Sequence, residues 1–129
     1  MLAQPCGWMT IPMAATRWVL AKRHAVSHLE CMTLFAARFR SSLSDPEPPA
    51  ALSPPLRALW FDANGDWPRA HAEVEDGATP QACRVHGYLH RKEGDHGNAA
   101  YWYRRARVPV ADGPLEGEWD ALVDQLLAG

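Results

Sequence analysis

Residues 92–106 read KEGDHGNAAYWYRRA, and this stretch decides the fold. Its Gly94-Asp95 pair marks a corner between two helices. Glycine takes left-handed backbone angles without strain, and aspartate accepts hydrogen bonds from the first free N–H groups of a helix. Ala99, Trp102, Tyr103 and Ala106 then recur at the three-to-four spacing of an amphipathic helix. The stretch therefore predicts that one helix ends near Glu93 and that another follows and ends before Pro109.

The same corner occurs 29 residues earlier, where residues 64–70 read NGDWPRA and match EGDHGNA at 93–99. Each Gly-Asp corner would join two helices, so the sequence predicts two helix–turn–helix units in tandem. Ser53-Pro54 and Thr79-Pro80 have the composition of helix starts, an N-cap residue followed by proline in the first turn. Asp76-Gly77 ends the helix between them.

A last helix is predicted after Pro114. Its apolar residues form one face and its acidic residues lie elsewhere. A stack of helix pairs needs a terminal helix that covers its last exposed face. The predicted fold is therefore all-α, with short tandem helix–turn–helix units and a C-terminal capping helix.

Residues 92–106 resemble the middle of a tetratricopeptide repeat. The family's small residues fall on Gly87, Ala99 and Ala106, and its aromatic residue falls on Tyr103. The spacing of 29 residues is shorter than the family's period of about 34. The resemblance implies a concave groove lined by first helices and a protein-binding function. The KEGDxxNAxYWYRRA-type motif also resembles that of a small bacterial family, from which no established activity carries over.

The chain divides into three predicted parts. Residues 1–44 form an N-terminal extension that is either poorly ordered or a single amphipathic helix over 17–40. Three hypotheses stay open for it: an over-extended gene start before Met32, a transit or membrane-surface segment, and a true packed helix. Residues 45–55 are a proline-rich linker, and residues 56–129 are the helical repeat-like domain.

Charge is unevenly distributed along the chain. Residues 1–44 carry five basic side chains and one acidic side chain, whereas residues 45–129 carry eight basic and fourteen acidic ones. Polyanion affinity depends on basic charge, so nucleic acid is not a predicted partner. No apolar run reaches the length of a membrane span. Three widely spaced cysteines without a CxxC pair favour a reducing cytoplasm.

The histidines are the residues that suggest chemistry. His86 and His90 are four residues apart on one predicted helix, so their rings lie on the same face. His71, with Glu73 near it, lies on the neighbouring helix and can supply a third ligand. Imidazoles arranged in this way suit a transition metal. The alternative is a structural role, in which the rings bond to tyrosine or carboxylate neighbours, and no cofactor is predicted.

A second set of side chains combines aromatic and basic character, which suits acidic peptides. In the repeat that the chain resembles, first helices line the groove. This favours Arg84, Tyr88 and Arg91, which lie on the predicted helix after Thr79-Pro80. The alternative is a solvated charged face. The candidate groove residues are Arg84, Tyr88, Arg91, Tyr101, Arg104 and Arg105.

No nucleophile, phosphate-binding or dinucleotide motif is present, and Asp66 and Asp95 are explained as helix caps. The sequence therefore favours a non-catalytic interaction module that binds a protein, a peptide or a second copy of itself. The alternative hypothesis is a small metal- or ligand-binding protein, or an enzyme, that uses His71, His86 and His90.

Overall fold

The computed structural model describes residues 28–128, with side chains from residue 34 onward. Within this range the chain is helical and contains no strand, which confirms the all-α prediction. None of the described helices is long and apolar enough to cross a bilayer. The helices are α1 (His28–Ser42), α2 (Pro54–Ala63), α3 (Trp67–Val74), α4 (Pro80–Glu93), α5 (His96–Arg105) and α6 (Leu115–Ala128).

The predicted helix boundaries rest on local caps that the structure contains. Asp66, Thr79 and Asp95 each accept a hydrogen bond from the backbone N–H three residues ahead. Gly65 and Gly94 have φ angles of +77° and +95°, which is the left-handed region that favours glycine. Ser53 occupies the N-cap of α2, but its side chain makes no capping bond.

Helix α4 is the centre of the fold. Helix α2 packs against α3 and α4 packs against α5, so consecutive helices form two pairs, and α4 also contacts α2, α3 and α6. Helix α4 is therefore enclosed along most of its length. Its buried residues are Ala82, Cys83, Val85, His86, Gly87, Tyr88, Leu89 and His90.

Gly87 allows α4 and α5 to approach closely. A Cβ atom at this position would lie 3.3 Å from the carbonyl oxygen of Ala99 and 3.3 Å from the ring of Tyr103. Both of these α5 residues are buried. A larger side chain at residue 87 would therefore push the two helices apart.

Helix α6 packs on α2 and α4, which are the first helices of both pairs. Leu122 and Val123 are fully buried, and the Trp119 indole Nε1–H donates to the Leu59 carbonyl oxygen at 3.1 Å. The predicted last helix thus exists, and it covers the face that the two first helices share.

Residues 34–128 belong to one compact unit. Phe39 of α1 is buried, its ring centroid lies 5.9 Å from that of Trp119, and the Trp60 indole Nε1–H donates to the Ser42 carbonyl oxygen at 3.2 Å. Residues 34–44, which the sequence assigned to an N-terminal extension, therefore contribute to the core. The hypotheses of an over-extended start before Met32 and of a targeting helix over 17–40 concern mainly residues 1–27, which lie outside the described range.

Replacement of Gly87 by valine tests the close approach of α4 and α5. We expect Gly87→Val to lower the free energy of unfolding by about 1–3 kcal/mol, because overpacking displaces the Tyr103 ring. Gly117→Val is the matched control, since no atom lies within 4 Å of the position that its Cβ would take. Urea unfolding measures both. Equal stability of the two variants would contradict the packing argument.

Candidate metal centre

Three histidines, one on α3 and two on α4, have their rings close together. One ring nitrogen from each of His71, His86 and His90 lies within 4.8 Å of the others. Nε2 of His86 is 2.9 Å from Nε2 of His71. His86 and His90 are buried, whereas the side chain of His71 is 26% exposed. The group is therefore enclosed on the α4 side and reachable on the α3 side.

The local fold explains why these rings meet. The four-residue spacing on α4 places the His86 and His90 rings one above the other, with centroids 4.8 Å apart. A short connection returns the chain from α3 to α4 and brings His71 against them, with its centroid 4.6 Å from that of His86. Glu73, which the sequence placed near His71, is not part of the group; its carboxylate binds Arg57 at 2.9 Å.

Two of the rings, those of His86 and His90, also present their second nitrogen to an oxygen atom at hydrogen-bond distance. Nδ1 of His86 lies 3.1 Å from the Val74 carbonyl oxygen, and Nδ1 of His90 lies 2.6 Å from a Glu93 carboxylate oxygen. Nδ1 of His71 lies 3.8 Å from a Glu75 carboxylate oxygen. Histidines that bind metals almost always have such a partner on the other nitrogen. The Nε2 atoms are left for one another or for a ligand.

The hydrogen bonds define which nitrogen carries the proton between His71 and His86. A carbonyl oxygen only accepts, so Nδ1 of His86 is the donor to Val74. In a neutral imidazole the other nitrogen then carries a lone pair. The bond of 2.9 Å is therefore donated by Nε2–H of His71 to Nε2 of His86. A cation that bound both Nε2 atoms would displace this proton, which would move to Nδ1 of the same His71 ring.

Burial keeps His86 in its neutral form. Desolvation, followed by the proximity of His71 and His90, lowers the pKa of His86 to about 4. A neutral imidazole is the form that binds a metal, whereas an imidazolium repels it. At neutral pH this member of the group is therefore ready to act as a donor.

Two indole rings border the cluster. Trp102 stacks on His86 with centroids 3.9 Å apart, and Trp67 stacks on His71 at 4.8 Å. Trp102 fits because Gly77 has no side chain; a Cβ there would lie 2.6 Å from the indole. The sequence placed Trp102 on the inward face of its helix, but periodicity does not tell which side chain an inward residue touches.

The candidate groove residues on α4 do not line an open surface. Tyr88 is buried and donates its hydroxyl to a carboxylate oxygen of Asp62 at 2.9 Å. Arg91 binds the Glu118 carboxylate of α6 at 2.7 Å, and Arg84 bonds to Gln125 of the same helix. Helix α6 thus covers the face for which these three residues were predicted.

The candidates on α5 are exposed. Tyr101 is 45% exposed, and Arg104 and Arg105 face solvent. The guanidinium of Arg105 lies 5.3 Å from the centroid of the Trp102 ring, and one of its nitrogens donates to the Tyr101 hydroxyl at 3.3 Å. The six predicted residues therefore divide between a covered face of α4 and an open face of α5.

No protein-family model, curated protein or solved structure matches the chain significantly. Function is therefore argued from the site itself.

An acid titration tests the neutral state of His86. Its pKa is about 4 in the folded protein and about 6.5 when unfolded. The unfolded chain therefore takes up the proton first, so stability is full above the unfolded value and falls as pH drops from 6.5 towards 4. We expect a loss of at most about 3 kcal/mol from this residue.

Urea unfolding at several pH values in the presence of a chelator measures this loss. His86→Gln should show a shallower dependence between pH 6.5 and 4. His96→Gln, which removes an exposed histidine, should behave like the unaltered protein. An unchanged slope in His86→Gln would show that His86 is not the titrating group.

Proposed function

We propose that this protein binds one divalent transition-metal cation, with zinc as the first candidate, through Nε2 of His71, His86 and His90. The observation that carries the proposal is the shared orientation of the three rings. Their ligand atoms lie within 4.8 Å of one another, while Nδ1 of His86 and of His90 each face an oxygen atom at hydrogen-bond distance.

The Glu93 carboxylate and the Val74 carbonyl, which face the Nδ1 atoms of His90 and His86, favour a metal site over a role in packing alone. A packing role requires only that each buried nitrogen find a partner. It does not require that two neighbouring rings both turn their Nδ1 atoms outward to oxygen. That arrangement raises the basicity of the inner nitrogens and fixes the ring planes, as it does in metal sites.

The donor set limits the choice of metal. Imidazoles suit zinc, copper, nickel and iron, whereas magnesium and calcium prefer oxygen ligands. Zinc binds imidazole nitrogen at about 2.0–2.1 Å. The bond between His71 and His86, at 2.9 Å, holds two of the ligand atoms close enough for a single cation to take the place of the shared proton.

Calorimetry with zinc sulfate on chelator-treated protein tests the proposal. We expect one cation per chain. Glu93→Gln should weaken binding by roughly 10–100-fold, since an outer-shell partner is lost. His71→Gln, His86→Gln and His90→Gln should each weaken it further.

His96→Gln is the control and should bind like the unaltered chain, because His96 is exposed at the start of α5. Circular dichroism establishes whether each variant is folded. Binding that survives in all three ligand variants, or the absence of stoichiometric binding by the folded protein, would refute the proposal.

We propose as a second function that the helix pairs form a tetratricopeptide-like interaction module in the cytoplasm. The exposed strip of Tyr101, Arg104 and Arg105 supports it, because aromatic side chains and arginine are enriched at protein interfaces. Cys83, a buried free thiol, is compatible with a reducing compartment. The partner is a protein, a peptide or a second copy of the chain.

A charge-reversed pair on α5 tests this second proposal. Arg104→Glu/Arg105→Glu should abolish partner recovery in a pull-down, or shift the light-scattering mass to that of a monomer. Arg69→Glu is the control, since Arg69 is exposed on α3 at 61% of its side-chain area. A strict monomer with no reproducible partner would count against the module.

A further inference from the structure

We infer that the metal in this site takes a small monovalent anion from solution as its fourth ligand. The inference rests on the proposed metal binding and goes one step further, since it states what the site can capture. It follows from the number of protein donors, their charge and the direction from which the group can be reached.

The donor count leaves one position open. Zinc and cobalt in histidine sites take at least four ligands. Among residues 34–128, the group around the convergent nitrogens consists of His71, His86 and His90. The nearby carboxylates lie on the outer side instead. Glu75 is 3.8 Å from Nδ1 of His71, and Glu93 is 2.6 Å from Nδ1 of His90. They act as partners of the ligands rather than as ligands.

The charge of the donors favours an anion in that position. A histidine that binds a metal does so as a neutral imidazole. Three neutral imidazoles leave the full double positive charge on the cation. His86 and His90 are buried, and a charge in such surroundings is poorly screened. A monovalent anion reduces this uncompensated charge directly, whereas a bound water molecule does so only by losing a proton.

The surroundings restrict the anion to a small one. The Trp102 ring stacks on His86 with a centroid distance of 3.9 Å, and the Trp67 ring stacks on His71 with a centroid distance of 4.8 Å. His71 is the partly exposed ligand, with 26% of its side chain accessible. The open position is therefore approached along His71. Azide, thiocyanate and formate carry one charge and are narrower than phosphate, which suits a position beside stacked rings.

Cobalt substitution tests the inference with the full chain. Co²⁺ bound in four-coordinate geometry gives intense visible absorption, and exchange of one ligand shifts it. We expect Co²⁺-loaded protein to show such bands and azide to shift them with saturation. Neither sodium sulfate at the same ionic strength nor phosphate should shift them.

The outcomes separate the two proposals. If Co²⁺ fails to bind, or binds His86→Gln and His90→Gln as tightly as the unaltered protein, the proposed metal binding fails. If Co²⁺ binds through the histidines but azide leaves the spectrum unchanged, the metal site stands and the inference is overturned. An azide response that appears only in Glu75→Gln or Glu93→Gln also overturns it, because a carboxylate of the chain then fills the fourth position.

Discussion

The enclosure of α4 by its neighbours is the constraint on which the rest of this structure depends. A helix buried on all sides is usually apolar all round, yet α4 carries His86, Tyr88 and His90 at buried positions. A buried polar group without a partner is costly, so each must find one inside the protein. Among the described residues no buried side-chain nitrogen or oxygen lacks a hydrogen-bond partner. The histidine cluster and the tyrosine contacts are two solutions to the same requirement.

Two tyrosines show how the requirement is met away from the histidines. Burial is the main cause that raises the pKa of Tyr88 and of Tyr103, and the carboxylates of Asp62 and Glu118 raise them further. Both hydroxyls therefore stay protonated and donate to those carboxylates. A basic side chain completes each group: the Lys92 ammonium lies 2.9 Å from the Asp62 carboxylate, and the Arg91 guanidinium lies 2.7 Å from the Glu118 carboxylate. The first group joins α2 to α4, and the second joins α4 and α5 to α6.

Local signals in the sequence predicted the helices and the convergence of the histidines, because both depend on few residues. A Gly-Asp corner contains its own turn and cap, and a four-residue spacing fixes two rings on one face. The position of α6 could not be predicted in this way. An apolar face shows that a helix is buried but not which surface buries it. Tyr88 and Arg91 were therefore expected in an open groove, whereas α6 covers them. The oxygen partners of the histidines were not predicted either. The Val74 partner is a backbone carbonyl, which every residue has, so no residue type in the sequence indicates it.

The cluster draws its members from both helix pairs, since His71 belongs to the first and His86 and His90 to the second. In stacked helical units, stability is approximately the sum of the intrinsic stability of each unit and a nearest-neighbour interface term. A metal bound as proposed, by α3 and α4 together, would add to the interface term alone. Its removal would leave each pair intact but weaken their coupling, so the two pairs would then unfold less cooperatively and expose an intermediate with only one of them formed.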